Sequence, residues 1–171
     1  NIIPLKVRSL VGLTSLLAVS VINKNLFSRL KGFQKRLLWF RNNERDLNKY
    51  MVIEELHEDH DILLSLIPKN RLVRILQKML DEDEFLAAGG IRSISKYHKD
   101  NPFILRLNGN EYSVGYEPAE ARTGLFGGNS NWRGPIWVAI NYLFIESLRK
   151  YYAYYGESLK VEFPSGSHNY I

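Results

Sequence analysis

The sequence predicts an all-α fold with one small β-hairpin inserted into it. Several segments repeat their apolar residues every three or four positions, which is the spacing of the buried face of an α-helix. One pair of β-prone runs instead flanks Asn108-Gly109-Asn110, and Asn-Gly between such runs is a strong hairpin signal. With 171 residues, 45% of them hydrophobic and 24% charged, the chain is long enough for one globular domain with a sizeable core.

The first predicted helix covers residues 9–22, which are apolar nearly all round, as a deeply buried helix is. Lys6 and Arg8 precede this run, and residues 18–20 have the small-x-small spacing of a signal-peptide cleavage site. The run is too short to span a bilayer. Because Pro4 and two isoleucines precede the basic pair, a core helix is preferred to a secretory signal peptide.

Two more helices are predicted in the first half of the chain. The second helix covers residues 31–41, after a connector over residues 24–30, and carries apolar residues on one face at spacings of four and three. Residues 42–61 are polar and rich in turn-forming residues. Pro68 then opens the third helix, whose apolar residues keep the i, i+3, i+4, i+7 spacing.

The second half of the chain carries the hairpin and one long helix. Residues 103–107 and 111–115 are the two strands of the predicted hairpin. The long helix begins at Pro135, because a missing N–H costs nothing in a first helical turn. Its apolar residues keep helical spacing as far as Tyr155, and Gly156 provides the stop signal.

The charge of the chain is moderately basic, with a formal value of +5 and a pI of about 9.4. The densest basic group is Lys31, Lys35 and Arg36, on the second predicted helix. Because no nucleic-acid-binding motif accompanies this group, a solvated helix face is preferred to a patch for nucleic acid or an anionic membrane. The absence of cysteine excludes a disulfide framework, a thiol nucleophile and Cys-ligated metal sites, and it fits a cytoplasmic location.

The stretch GLFGGNSNWRGPIW, at residues 124–137, has the composition of a sugar-binding loop and is called the sugar-binding stretch below. Its Trp residues offer aromatic faces that stack on the C–H faces of sugar rings. Its Arg offers a planar fork of donors, and its Asn residues offer donors and acceptors for vicinal hydroxyls. From composition alone, a buried Trp corner capped by the Arg fits equally well. The five side chains are Asn129, Asn131, Trp132, Arg133 and Trp137.

One long segment, GLFGGNSNWRGPIWVAINYLFIESLRKY, resembles the signature block of glycoside hydrolase family 63. That family includes the processing α-glucosidases and the mannosylglycerate-hydrolase-like bacterial glucosidases. The resemblance covers nearly the whole chain. Segments that resemble the bacterial branch, in the same order, are IPLKVRSLVGL, RLVRILQKMLDEDEF, GIRSISKYHKDNPF, YEPAEARTGLFGG and KVEFPSGS.

The resemblance implies that residues 1–171 are part of an (α/α) barrel of six helical hairpins, the catalytic domain of an inverting α-glycosidase. It also implies that the five side chains of the sugar-binding stretch line the subsite of the released sugar. Inversion needs a general acid and a general base about 6.5–9.5 Å apart. In the family both lie outside the segment that matches this chain. We therefore expect a fragment, incomplete at both ends, of a longer enzyme, or else a catalytically inactive remnant that binds carbohydrate or is structural.

Other carboxylates have less obvious roles. The resemblance gives Glu120 a counterpart, as a substrate contact or a partner of Arg133 rather than as the general base, and Glu117 lies close to it. The acidic run at residues 81–84 predicts a helix start at the surface, since Asp81 and Glu84 have the spacing of a capping box.

The histidines do not form a metal site in the sequence. His57 and His60 are three residues apart, whereas a zincin motif needs four, so a solvated acidic loop is preferred to a metal centre. His98 and His168 have no evident partner in the sequence. The residues together predict a carbohydrate substrate, no cofactor, no metal, and no nucleic-acid or membrane partner, and they leave the oligomeric state open.

Overall fold

The computed structural model of the protein describes residues 4–48, 51–54, 60–118 and 136–171. The chain divides into two compact units. The first unit consists of Asn1–Thr14, Ile75–Tyr142 and Val161–Ile171, and the second of Ser15–Arg74 and Leu143–Lys160. Helices and three small antiparallel sheets are both present, so the described part of the chain is mixed α/β. The prediction of an all-α chain that forms part of an (α/α) six-hairpin barrel is therefore wrong.

The apolar run at the start of the chain is not the single buried helix that the sequence predicts. Leu10–Leu17 forms a 3₁₀ helix, and a strand follows it. Leu10, Leu13 and Leu16 are buried, and their spacing of three matches the three residues per turn of a 3₁₀ helix. Val11 is 51% exposed, so this helix buries one side only.

The second unit contains a three-stranded antiparallel sheet in the order β1-β3-β2. Its strands are β1 (Val19–Ile22), β2 (Val52–Glu54) and β3 (Ile62–Ser65). β1 is rich in β-branched residues, which favour strands over helices and explain why the predicted helix stops before it. Ile62 and Leu63 are both fully buried, and neighbouring strand residues point to opposite faces, so β3 is covered on both faces.

Three helices lie between β1 and β2: α1 (Lys24–Arg29), α2 (Lys31–Asn43) and α3 (Arg45–Asn48). The second of these confirms the helix predicted over residues 31–41. The first occupies the predicted connector, because the Asn23 side chain caps it by accepting a hydrogen bond from the Asn25 backbone N at 2.9 Å. A buried cluster joins these helices to the sheet through Phe27, Leu37 and Ile62.

The helix α4 (Lys69–Met79) begins directly after Pro68, as predicted. The Pro68 carbonyl oxygen accepts a hydrogen bond from the backbone N of Leu72 at 2.9 Å, which closes the first turn. Leu72, Leu76 and Met79 form its buried face. Within the ranges that the structure describes, no helix is both long enough and apolar enough to cross a membrane.

The last helix, α5 (Val138–Tyr155), confirms most of the long helix predicted from the sequence. Ile136 and Trp137 are not helical, and Pro135 lies outside the described residues. The helix ends where Gly156 adopts a φ of +50°, a conformation that glycine adopts without strain. Its buried side chains are Phe144, Ser147 and Tyr151.

The described residues of the first unit contain two hairpins, β4 (Leu86–Ala87) with β5 (Gly90–Ile91) and β6 (Phe103–Leu107) with β7 (Asn110–Val114). The longer hairpin is the one that the sequence predicts. Its turn residues Asn108 and Gly109 have φ of 51° and 77°, the left-handed pair that a two-residue Asn-Gly turn requires. The shorter hairpin is absent from the prediction. Buried apolar residues of this unit include Leu10, Leu13, Phe85, Ile91, Ile94, Val114 and Val161.

Candidate functional site

Only one of the predicted sugar-binding residues falls in the described part of the chain. Trp137 is half-buried and lies directly before α5. The structure therefore describes the candidate site only at its two ends, up to residue 118 and from residue 136 onward. The other predicted site residues lie outside the described ranges: Glu120, Asn129, Asn131, Trp132 and Arg133.

The residues that follow the sugar-binding stretch are tied to β5 by the side chain of Asn141. Its Oδ1 accepts a hydrogen bond from the backbone N of Ile91 at 2.6 Å, and its Nδ2 donates to the Ile91 carbonyl oxygen at 3.1 Å. The same Nδ2 donates to the carbonyl oxygen of Trp137 at 2.9 Å. The backbone N of Asn141 donates to that oxygen as well, at 3.0 Å. The Trp137 backbone is thus held by two donors from Asn141, whose amide is at the same time fixed on β5.

Gly89, in the turn between β4 and β5, and Gly90, the first residue of β5, both lie close to this contact. A Cβ atom on Gly90 would lie 2.7 Å from Asn141 Oδ1 and 3.1 Å from Ile136 Cγ2. A Cβ atom on Gly89 would lie 3.0 Å from Ile136 Cδ1. Gly90 also has a φ of +129°, which side chains rarely adopt. A side chain at Gly90 would therefore require the Asn141 and Ile136 side chains to move, in a backbone conformation that side chains rarely adopt.

The residues that precede the sugar-binding stretch are tied to the same part of the first unit. The backbone N of Tyr116 donates a hydrogen bond to the His98 carbonyl oxygen at 3.2 Å. The Arg92 guanidinium lies 5.7 Å from the centroid of the Tyr116 ring, a cation–π distance. The described residues on both sides of the stretch are thus anchored on residues 91–98.

His98 has partners that the sequence does not reveal. It is 2% exposed, its Nε2 accepts a hydrogen bond from the backbone N of Arg8 at 2.8 Å, and its Nδ1 lies 2.8 Å from the Asn101 carbonyl oxygen. An acceptor role for Nε2 requires the neutral ring with the proton on Nδ1, which then donates to that carbonyl oxygen. His98 is therefore a structural histidine that orders the backbone around residue 98.

Glu84 is buried, which corrects its predicted place in a surface helix start. The carboxylate is 6% exposed and pairs with Arg8, and its Oε1 also accepts from Lys78 Nζ at 3.2 Å. Its Oε2 accepts from Ser95 Oγ at 2.5 Å. Burial alone raises the pKa of this carboxyl and is the largest single effect. The hydrogen bonds from Ser95 and Lys78, with the charges of Arg8 and Lys78, together outweigh it and hold the pKa below its ordinary value.

A cavity of about 320 Å³ in the first unit adjoins Glu84 and is lined in part by Arg8, Lys78, Leu13 and Phe85. Both oxygens of the carboxylate already accept hydrogen bonds from neighbouring side chains. A carboxylate that is charged and bonded in this way is a poor proton donor and a poor base. Glu84 therefore stabilises the fold and is not a candidate general acid or base.

The second unit has a polar cavity of about 380 Å³ whose lining includes His60, Asp61 and Tyr155. Lys69 Nζ lies 5.0 Å from the centroid of the Tyr155 ring and 3.1 Å from Ser158 Oγ. The lysine ammonium thus covers a ring face that a sugar would need. Asp61 accepts a hydrogen bond from the backbone N at the start of α1, at 2.9 Å, which is a capping contact.

The predicted metal-like segment is only partly described, since His57 lies outside the described ranges. In the part of the chain that the structure describes, no three His, Asp or Glu side chains come together in a way that could hold a metal ion. His168 does have a neighbour, because its Nδ1 lies 3.7 Å from Glu162 Oε1, at an exposed position. Lys35 and Arg36 are exposed on α2, as the interpretation of a solvated helix face requires.

Comparison with known proteins agrees with the resemblance in the sequence. The sequence profile described as "Glycosyl hydrolase family 63 C-terminal domain" matches residues 36–163. The Saccharomyces cerevisiae protein named "Uncharacterized protein YMR196W" is 45% identical over 171 residues, which is 99% of this chain. The chain spans 16% of the length of that curated relative. No solved structure matches the chain.

Proposed function

The chain belongs to glycoside hydrolase family 63, and we propose that it supplies the sugar-binding loop of an inverting α-glucosidase. The observation that carries the proposal is that the family match, residues 36–163, runs across the sugar-binding stretch at residues 124–137. That stretch combines two Trp, one Arg and two Asn, the side chains suited to hold a sugar ring. A carbohydrate substrate is what membership of this family implies.

Each side chain of the stretch has a role in the proposal. Trp132 and Trp137 stack on the sugar ring, and Arg133 donates paired hydrogen bonds to its hydroxyls. Asn129 and Asn131 bind vicinal hydroxyls through their amide donors and acceptors. The half-buried position of Trp137, with its backbone held by Asn141, supports a fixed contact surface. Glu120 is a further substrate contact in the proposal.

We propose that the general acid and base come from parts of the enzyme that this chain does not span. The chain covers 16% of its yeast relative, so most of a protein of that length lies outside it. Glu84, the buried carboxylate of the first unit, is unsuited to proton transfer because its oxygens are already bonded. The two carboxyls would stand about 6.5–9.5 Å apart, with a water between the base and the sugar. No metal or cofactor takes part in such a reaction.

The test is hydrolysis of p-nitrophenyl α-D-glucoside by the protein in its full natural length. Proton NMR in the first minutes identifies the anomer of the released glucose before it equilibrates. We expect β-glucose, because the water attacks from the face opposite the leaving group in an inverting reaction. Release of α-glucose would contradict inversion.

The second candidate function is carbohydrate binding without hydrolysis, as a catalytically inactive remnant of such an enzyme. The observation behind it is that Glu84, the buried carboxylate of the first unit, has both oxygens hydrogen-bonded and is unsuited to proton transfer. Isothermal titration with methyl α-D-glucoside separates the two functions. Binding without any hydrolysis supports the remnant, hydrolysis supports the enzyme, and neither binding nor hydrolysis contradicts both.

A further inference from the structure

We infer that Asn141 is a positioning residue for Trp137, a sugar contact in the function proposed above, on which this inference rests. Asn141 itself is not proposed to touch the sugar. Its amide bridges the carbonyl oxygen of Trp137 and both backbone polar groups of Ile91. The side chain thereby fixes the point at which the sugar-binding stretch joins α5.

The three contacts of the Asn141 side chain need a donor and an acceptor on one short group. Oδ1 accepts from Ile91, and Nδ2 donates to the Ile91 and Trp137 carbonyl oxygens. An aspartate has the same shape but no donor, so it would keep the first bond, lose the other two, and oppose two carbonyl oxygens with a negative charge. An alanine would lose all three contacts.

Gly90, the first residue of β5, lies directly beside this amide. An added Cβ would lie 2.7 Å from Asn141 Oδ1, and the Gly90 φ of +129° is one that side chains rarely adopt. Gly89 is similarly close to Ile136, at 3.0 Å from Ile136 Cδ1. Two substitutions at distant positions of the sequence, Asn141→Asp and Gly90→Ala, should therefore displace the same backbone.

The position of the Trp137 backbone sets where its indole can lie. Two hydrogen bonds from Asn141 reach the Trp137 carbonyl oxygen, and the amide that makes one of them is fixed on β5. When the Asn141 amide is lost, only the backbone bond from Asn141 still reaches the Trp137 carbonyl oxygen, and that oxygen is no longer linked to β5 through the amide. Misplacing a contact group by about 1 Å can cost on the order of 100-fold in an enzyme site.

The test measures the dissociation constant of methyl α-D-glucoside by isothermal titration, with the protein in its full natural length and well below its melting temperature. The variants are Trp137→Ala, Asn141→Asp and Gly90→Ala. The matched control is Asn43→Asp, because Asn43 Nδ2 also donates to the carbonyl oxygen four residues earlier, at 2.7 Å, on an exposed helix end. Gly90→Ala serves as the second variant should Asn141→Asp fail to fold.

We expect Asn141→Asp and Gly90→Ala to weaken binding about tenfold or more, as Trp137→Ala does, while Asn43→Asp binds like the natural protein. A purely structural role would lower the melting temperature of the variants and leave the dissociation constant of the folded protein unchanged. The inference is overturned if Trp137→Ala weakens binding but Asn141→Asp and Gly90→Ala do not. If the natural protein binds no glucoside, or if Trp137→Ala binds it equally well, the proposed function fails and the positioning role fails with it.

Discussion

Glu84 is a buried charge whose neighbours compensate for its loss of water. Arg8 and Lys78 supply opposite charge, and Ser95 donates a hydrogen bond to the second oxygen. Because Arg8 and Lys78 are 46% and 59% exposed, removing Glu84 leaves solvated charges and costs less than the roughly 3–5 kcal/mol of breaking a fully buried pair. This carboxylate therefore links Arg8, Lys78 and Ser95, which all belong to the first unit.

The lowered pKa of Glu84 makes the stability of the protein depend on pH. Between its folded pKa and its ordinary value of about 4.3, the unfolded chain binds more protons than the folded protein does. The contribution of Glu84 is therefore complete above about pH 4.3 and is lost as the pH falls through the folded pKa. Urea unfolding at several pH values should show that lowering the pH reduces the unfolding free energy less in Glu84→Gln than in the natural protein.

The control for this experiment is Glu111→Gln, on the exposed face of the β6–β7 hairpin. Glu111 pairs with Arg106 at 2.9 Å, but both side chains are largely in solvent. An exposed pair of this kind contributes about 0–1 kcal/mol, so the control should follow the natural protein closely. If the unfolding free energy falls equally with decreasing pH in Glu84→Gln and in the natural protein, the role of the buried carboxylate is contradicted.

Tyr151 gives a second prediction for a single side chain, this time in the second unit. It is fully buried, and its hydroxyl oxygen lies 2.9 Å from Ser65 Oγ. Burial raises the pKa of Tyr151 and outweighs the opposite effect of this hydrogen bond. Tyr151→Phe should cost about 1 kcal/mol of unfolding free energy, because Ser65 keeps its other bond, from the Ile67 backbone N at 3.0 Å.

Tyr152 is the matched control, since it is the next residue of α5 and is 64% exposed. Tyr152→Phe should change the unfolding free energy by less than about 0.5 kcal/mol. Thermal or urea unfolding of both variants provides the comparison. Equal costs for the two substitutions would show that the buried hydroxyl contact contributes nothing.

Among the secondary-structure elements, those with a local signal were predictable from the sequence. The β6–β7 hairpin has its Asn-Gly turn, α4 has a proline before it, and α5 has helical apolar spacing over five turns. The strands β1 and β3 were not predictable in this way, because their pairing joins Val19–Ile22 to Ile62–Ser65, about 40 residues away. An apolar run of that kind fits a buried helix and a buried strand equally well.

The sugar-binding role of residues 124–137 stays a prediction, because residues 119–135 lie outside the described ranges. Their composition fits a sugar-binding loop and a buried Trp corner capped by the Arg equally well. The contact between Asn141 and Ile91 has no local signature, since 50 residues separate the two. Gly89-Gly90 is the one sequence signal that could have indicated it, as a place where backbone and side chain approach closely.

The turn of the β6–β7 hairpin gives a prediction for an element. A Cβ on Gly109 would meet no atom within 4 Å, so only its φ of 77° resists a side chain. Gly109→Ala should therefore cost about 1 kcal/mol of unfolding free energy. Gly12→Ala is the control, because Gly12 also has open space around its Cβ position but no left-handed φ. A Gly109→Ala variant as stable as Gly12→Ala would contradict the left-handed turn.

For the whole chain, the net charge and the family membership suggest different binding partners. A formal charge of +5 would suit a nucleic-acid partner, whereas glycoside hydrolase family 63 implies a carbohydrate. The basic residues of α2, among them Lys35 and Arg36, are exposed, and no nucleic-acid-binding motif accompanies them in the sequence. The basic charge is therefore interpreted as a solvated helix face and not as a second binding site.

This interpretation predicts no specific affinity for nucleic acid. Phosphate contacts release counterions, so a true nucleic-acid-binding protein loses roughly 1000-fold or more in affinity between low and moderate salt. Fluorescence anisotropy with labelled single- and double-stranded DNA should show only weak binding at low salt. The interpretation of a solvated helix face would be contradicted by tight DNA binding that weakens steeply with salt. The double variant Lys35→Ala, Arg36→Ala would then abolish that binding.

The most direct test of the sugar-binding role is the kinetics of Trp132→Ala and Arg133→Ala in the full-length protein, with p-nitrophenyl α-D-glucoside as substrate. Both positions belong to the sugar-binding stretch and lie within residues 36–163, which the family profile matches. We expect kcat/KM to fall by about 100-fold or more in each variant, with an unchanged melting temperature, because sugar contacts are lost and the fold is kept. Normal kcat/KM in both variants would remove these residues from the active site and contradict the account.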